Sequence, residues 1–175
     1  RFGMTWQIFN SVQLLGLAWV QTRVPRFGML IAQRDFTGLD ALSRHTALLA
    51  IAVFALGMGA FLLFQLFLGH FDVAFGQRLL GAEVTMLLLP AGLLAMWVQC
   101  AAFYWRAHKA EPLGFSAAVP GLINGVLVWW WGSQYGAMGA VAAYLTMLAV
   151  MSAPLALYLK RKVANEYRHS LNAFR

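Results

Sequence analysis

Five apolar stretches, each about as long as a membrane-spanning helix, constrain this chain more than any other feature of its sequence. They cover residues 4–22, 46–69, 79–104, 115–135 and 137–159. The hydrocarbon core of a bilayer is about 30 Å thick, and a helix of roughly 20 apolar residues spans it. Hydrophobic residues make up 61% of the chain and charged residues 11%, which is more apolar surface than one soluble domain can bury. The sequence therefore predicts an all-α, polytopic membrane helix bundle of about five transmembrane helices, with residues 1–175 forming a single domain.

The basic residues separate the predicted loops into two groups. If the chain crosses the membrane five times, the 23–45 loop, the 106–114 loop and the 160–175 tail share one side. These segments hold eleven of the thirteen Lys and Arg residues, and only Arg1 and Arg78 fall on the other side. Lys and Arg next to membrane helices are retained in the cytoplasm. We therefore expect a multi-pass protein of the cell inner (plasma) membrane, with its N-terminal end outside and a basic cytoplasmic tail.

The formal net charge of +7 indicates anionic lipid as the partner of the basic residues. These residues lie between apolar blocks and do not form the single stripe that is typical of nucleic-acid binding, so no nucleic-acid partner is expected. The predicted lipid contacts are Arg23, Arg26, Lys160, Arg161 and Lys162. For the tail, the alternative is that its charges act only as a stop-transfer anchor.

The 23–45 segment is too apolar for a free loop, since it contains Phe27 and Leu30 among its basic residues. We expect it to lie along the inner membrane interface. Within it, Thr37 and Asp40 have the spacing of a capping box. This pattern predicts that a helix begins at Thr37 and continues into the second span.

Polar side chains inside the predicted spans are few. Each needs a reason, because a charged residue at the centre of a membrane helix costs about 2.5–3.5 kcal/mol on insertion scales. Gln7, Asn10 and Gln13 fall on one broad face of the first helix, and Gln99 and Asn124 lie deep in the third and fourth. These five residues are candidates for the lining of a hydrophilic lumen that the substrate occupies. The alternative is that they make hydrogen bonds between packed helices.

The outer mouth of the third helix carries a second group of polar residues. Arg78 and Glu83 are candidates for an ion pair there, because they lie about one and a half helical turns apart. Thr85 near this mouth and Gln65, deep in the second span, are interpreted singly as residues that make local hydrogen bonds. The alternative is that they face a common hydrophilic lumen with the first helix.

Small residues and prolines predict how the last helices pack. Gly121 and Gly125 form a GxxxG element, and small residues recur between positions 136 and 143. We therefore expect the fourth and fifth helices to pack closely. Kinks are predicted at three prolines, each of which removes a backbone hydrogen bond: Pro90, Pro120 and Pro154.

No arrangement of residues in the sequence indicates catalysis or cofactor binding. The histidines are dispersed at positions 45, 70, 108 and 169, and there is no HExxH motif, P-loop or nucleophile elbow. A membrane glycan ligase or acyltransferase would need a large outer loop, and segments 70–78 and 132–136 are too short for one. We expect a protein that is not an enzyme and that has no metal site and no cofactor.

A family resemblance rests on six parts of the chain: residues 19–25 (WVQTRVP), 30–32 (LIA), 34–44, 104–109 (YWRAHK), Asn124 and 135–140 (YGAMGA). In their residue types and spacing these parts resemble the later half of bacterial polysaccharide flippases, of the O-antigen type found in lipopolysaccharide biosynthesis. Such flippases belong to the multidrug, oligosaccharidyl-lipid and polysaccharide exporter superfamily. The resemblance covers nearly the whole chain, and it implies that the five spans are the last five of twelve helices in a two-lobed transporter.

The function that the resemblance implies is translocation of a lipid-linked oligosaccharide or polysaccharide precursor across the inner membrane by alternating access. The expected partners are membrane lipids, the lipid-linked glycan and the remaining helices of the same transporter, so we expect the chain to be part of a longer protein. The sequence departs from the family in one respect: the family lumen tends to be cationic, and no Arg or Lys lies deep in a span here. The alternatives are a multidrug-type small-molecule exporter of the same superfamily, a membrane-embedded glycan ligase or acyltransferase, and a helical scaffold subunit.

Overall fold

A computed structural model of the chain describes residues 2–71, 79–107, 113–159 and 162, and gives side chains for all of these except residues 113–117. In the described ranges all regular structure is helical, which confirms the predicted all-α bundle. The elements are α1 Phe2–Gln21, α2 Val24–Ala32, α3 Phe36–His70, α4 Ala82–Ala107, α5 Leu113–Met147, a π-helical turn Leu148–Ser152 and a final helical segment 153–159.

Three helices are long and apolar enough to cross a membrane within the described ranges, whereas the sequence predicted five. They are Phe36–His70, Ala82–Ala107 and Ala118–Leu159. The prediction was wrong about α1 because its amide side chains leave this 20-residue helix too polar. The predicted fourth and fifth spans lie together in the 42-residue segment, and their predicted separation at residue 136 is confirmed by a reversal of the backbone there. Three such helices define a membrane-embedded protein.

The 42-residue segment reverses direction at Gly136. This residue has φ 64° and ψ −145°, a conformation that is essentially confined to glycine. In a straight helix, residues 132 and 140 would be about 12 Å apart along the axis. Instead, a Cβ built on Gly132 lies 3.5 Å from the Cβ of Ala140. Residues 113–135 therefore form a first arm and residues 137–159 a second arm, and the two arms fold back on each other.

Side-chain clusters show that successive helices run in opposite directions. Phe27 of α2, Leu39 near the start of α3, Trp105 near the end of α4 and Leu159 at the end of the second arm share one buried cluster. We call this end of the bundle the basic end, because the described arginines of α2 and of the neighbouring helix ends lie along it: Arg23, Arg26, Arg34, Arg44 and Arg106.

The opposite end joins the start of α1, the end of α3 and the start of α4. The hydroxyl oxygen of Thr5 accepts a hydrogen bond of 3.1 Å from the backbone N–H of Leu80, and Nε2 of Gln65 donates to the carbonyl of Leu80 at 3.2 Å. The second arm reaches the same region, since the rings of Trp6 and Tyr144 meet edge-on at 5.9 Å.

The core lies where α1, α3 and α4 meet. The rings of Phe9 and Phe54 pack edge-to-face, with centroids 5.6 Å apart, and both side chains are fully buried. Gly92 of α4 faces both rings so closely that an added Cβ would collide with them. Close approach through small residues is a common way for membrane helices to pack.

The junction between α2 and α3 corrects the predicted capping box. Arg34 has φ 60° and ends α2, where the N–H groups of Arg34 and Asp35 donate to the carbonyls of Ile31 and Leu30. Asp35, not Thr37, is the N-cap of α3: its carboxylate accepts 2.8–2.9 Å hydrogen bonds from the Thr37 hydroxyl and the Gly38 N–H. The predicted continuation into the second span is confirmed, because α3 runs without a break to His70.

The predicted packing of the GxxxG element was wrong, because a Cβ built on Gly121 or Gly125 would meet nothing within 4 Å. Close contact between the two arms occurs instead beside Gly136, where Gly139 packs on the backbone of Trp131. Pro154, which has no backbone N–H, follows the π-helical turn directly, and there the N–H of Ala153 donates to the carbonyl of Leu148.

Candidate functional site

The predicted lumen residues of α1 lie beside the face that packs on the rest of the bundle. That packed face consists of Thr5, Phe9, Gly16, Leu17 and Val20. Gln7 is exposed, whereas Asn10 and Gln13 are half-buried. Within the described part of the chain, the three amide side chains make no hydrogen bond. Their polar groups are therefore available to water or to other helices.

The two other lumen candidates lie on different helices. Gln99 is exposed on α4, and Asn124 is half-buried on the first arm of α5. The side-chain oxygen of Asn124 is buried and has no hydrogen-bond partner among the described residues. None of the five candidates lines the groove between α3 and α4, and their assignment to a lumen stays a prediction.

A buried polar cluster lies at the opposite end of the bundle, where α1, α3 and α4 meet. Thr5, which is fully buried, and Gln65, which is 8% exposed, are joined through the backbone of Leu80. Thr85, also fully buried, lies in the first turn of α4. Two oxygens in this cluster, Oε1 of Gln65 and Oγ1 of Thr85, have no hydrogen-bond partner in the described ranges. The sequence identified Gln65 singly but could not join it to Thr5, because the two side chains bond to the same backbone residue, Leu80, which is far from Thr5 in sequence.

A groove of about 300 Å³ opens between α3 and α4 towards the basic end. We call it the α3/α4 groove. From α3 it is lined by Ser43, Arg44, Ala47, Leu48 and Ile51. From α4 it is lined by Trp97, Cys100 and Ala101. The lining is polar at Ser43 and Arg44 and largely apolar along the rest of both helices.

Between the groove and the end of the bundle, a hydrogen bond joins α3 to α4. The Tyr104 hydroxyl donates to the Asp40 carboxylate at 3.0 Å. The sequence missed this contact because Asp40 fitted a capping pattern, and a contact between two helices leaves no local signal. The Asp40 carboxylate therefore links α3 to α4 and does not cap α3.

The predicted lipid contacts lie where the helices end. The Arg23 guanidinium lies over the Trp19 ring at 5.5 Å, and Arg26 is exposed. Lys162 is exposed as well, whereas Lys160 and Arg161 lie outside the described residues. Arginine beside an aromatic ring is typical of the headgroup level of a membrane.

The remaining titratable residues of the described ranges lie apart from one another. Glu83 is exposed in the first turn of α4, and its predicted partner Arg78 lies outside the described residues. In the ranges that the structure describes, no three His, Cys, Asp or Glu residues are grouped so that they could hold a metal ion. The Gly38 N–H and the Thr37 hydroxyl hold the pKa of Asp35 below its usual value by donating hydrogen bonds to its carboxylate.

The fold and these sites define the class: a helical membrane protein with a basic end and a polar first helix. Comparison of the chain with protein-family models, with curated proteins and with solved structures finds no match. Function is therefore inferred from the residues themselves.

Proposed function

We propose that this chain is part of a membrane transporter that moves a lipid-linked oligosaccharide or polysaccharide precursor across the inner membrane by alternating access. The observation that carries the proposal is the polar face of α1. The side chains of Gln7, Asn10 and Gln13 make no hydrogen bond within the described chain, and lipid offers none. A helix with such a face, packed in a membrane protein, needs a water-filled cavity or further helices beside it.

The division of charge supports the proposed orientation. Five arginines of the described chain lie along the basic end, and positively charged ends are retained in the cytoplasm. In the proposed topology the basic end is therefore cytoplasmic, and the buried cluster of Thr5, Gln65 and Thr85 lies at the outer end. Lumenal cations that neutralise a lipid pyrophosphate would come from other helices of the same transporter.

The absence of Arg and Lys from the apolar stretches of the sequence favours a second candidate, an exporter of small molecules with the same architecture. Such a protein needs no cationic lumen. The two candidates differ in substrate and share the assignment of the α1 amides to the cavity.

The test compares cells that lack the intact gene with cells that carry it, and measures outward movement of lipid-linked sugar. A triple variant, Gln7→Leu, Asn10→Leu and Gln13→Leu, should reduce transport about tenfold or more, the effect of losing roughly 1.4 kcal/mol of polar interaction. The control variant Leu14→Val, Leu15→Val changes exposed apolar positions of the same helix and should transport normally.

Membrane levels of each variant are matched before rates are compared. If the gene makes no difference to flipping of lipid-linked sugar, the proposed substrate is wrong. If the triple variant transports lipid-linked sugar as well as the control does, the α1 amides do not line the cavity.

A further inference from the structure

We propose that the α3/α4 groove binds one anionic phospholipid of the bilayer, with the lipid phosphate on Arg44 and an acyl chain along Leu48, Ile51 and Trp97. This lipid is a bound partner of the fold, and its binding does not depend on the proposed transport activity.

The groove has the length and polarity of an amphipathic ligand. Arg44 and Ile51 are seven residues apart on α3, which corresponds to about 10 Å along the helix axis. The polar lining lies nearer the basic end and the apolar lining deeper in the bundle, as in a lipid with its headgroup at the membrane surface. A volume of about 300 Å³ is at the lower limit of ordinary ligand pockets, enough for the part of a lipid that lies between two helices.

The charge at the mouth of the groove suits a phosphate. Arg44 makes no ion pair within the described chain. The nearest carboxylate along α3, Asp40, lies one helical turn away and accepts a hydrogen bond from the Tyr104 hydroxyl. A guanidinium can donate two parallel hydrogen bonds to a phosphate. Arg44 is therefore a cation without an ion-pair partner among the described residues, and it lies at the mouth of the α3/α4 groove.

The surroundings favour lipid over a soluble ligand. Leu48, which lines the groove, is 61% exposed on a helix long and apolar enough to span a membrane, so the groove opens sideways towards acyl chains. Arg23 and Arg26 lie at the same end of the bundle, and each basic residue at the surface attracts anionic lipid by about 1 kcal/mol. A lipid with net negative charge should therefore be preferred over a zwitterionic one.

The test reconstitutes the protein in nanodiscs that contain phosphatidylglycerol or phosphatidylcholine, each with a photoreactive diazirine on the acyl chain. Crosslinked peptides are mapped by mass spectrometry. We expect crosslinks at Leu48, Ile51 and Trp97 from phosphatidylglycerol in excess over phosphatidylcholine. Arg44→Gln should lower them about fivefold or more, the equivalent of losing about 1 kcal/mol.

Three further variants separate the groove from general attraction to the basic surface. Arg26→Gln removes an exposed charge outside the groove and should lower the groove crosslinks much less than Arg44→Gln does. Ala47→Trp fills the groove while keeping Arg44 and should abolish them, whereas Leu49→Trp, on the same helix but outside the lining, should not. Thermal melting establishes that each variant is folded.

Equal crosslinking by the two lipids would overturn the proposal, as would full crosslinking in Arg44→Gln. So would an equal loss in Arg26→Gln, because diffuse attraction at the surface would then explain the result.

Discussion

The close approach of α4 to α1 and α3 depends on residue 92 being a glycine, which has no Cβ. The rings of Phe9 and Phe54 meet edge-to-face directly against its backbone. A methyl group at this position would have to move both rings, and overpacking of this kind costs about 1–3 kcal/mol.

Gly92→Ala should therefore lower the melting temperature of the purified protein, measured by loss of helical circular dichroism in detergent. Gly59→Ala is the matched control, because a Cβ there would meet nothing within 4 Å. Alanine in place of glycine inside a helix should be neutral or should stabilise by about 0.5–1 kcal/mol. A Gly92→Ala protein that melts at or above the wild-type temperature would contradict this account of the core.

Asp35 makes the start of α3 sensitive to acid. Its pKa in the folded protein is below the usual 3.8, because the Gly38 N–H and the Thr37 hydroxyl donate to the carboxylate. A depressed pKa means that the stabilisation is present above pH 3.8 and is lost as the pH falls through the folded value. Amide hydrogen exchange in the first turn of α3 should therefore become less protected below about pH 3.8.

The matched control is Asp35→Asn, since asparagine is also a good N-cap and does not titrate. Protection in this variant should not fall with pH in the same window. If wild type and Asp35→Asn lose protection in parallel, the carboxylate is not the group responsible.

The reversal between the two arms of α5 depends on a backbone conformation that only glycine adopts easily. Gly136 has φ 64° and ψ −145°, and a residue with a Cβ at such a position costs about 1–3 kcal/mol. Gly136→Ala should lower the melting temperature, whereas Gly121→Ala, in open space on the first arm, should not. Equal melting temperatures for these two variants would mean that the reversal does not need glycine.

Helical elements were predictable from the sequence where one local signal dominated. The long apolar runs predicted α3 and α4, and the apolar residues of the 23–45 segment indicated that it is not a bare loop. The capping box was wrong because the helix starts two residues earlier, at Asp35, whose carboxylate accepts hydrogen bonds from the Gly38 N–H and from the Thr37 hydroxyl itself. The packing of Gly121 and Gly125 was wrong because the GxxxG pattern does not say which face of a helix meets a neighbour.

The candidate sites were less predictable because they depend on which helices pack together. The polar residues of α1 were identifiable one by one, because a polar side chain in an apolar segment is costly to place in a membrane. The α3/α4 groove was not, since Arg44 and Trp97 meet only through the pairing of two helices. The hydrogen bond between Asp40 and Tyr104 was missed for the same reason.

For the bundle as a whole, the arrangement of helix ends accounts for the separation of charge along the sequence. The ends of α4 and of the second arm lie with α2 and the start of α3, α1 ends where α2 begins, and the described arginines lie along this end. The proposed direction of transport requires that this end faces the cytoplasm and that the opposite end faces outward.

The most direct test replaces Cys100 with alanine, introduces single cysteines and measures labelling by a thiol reagent that cannot cross the membrane. The positions are Arg26→Cys, Arg106→Cys and Lys162→Cys for the basic end, and Glu83→Cys for the opposite end. We expect the first three to be labelled only in inverted membrane vesicles and Glu83→Cys only in intact cells. Labelling of Arg26→Cys and Lys162→Cys from opposite sides of the membrane would contradict the account.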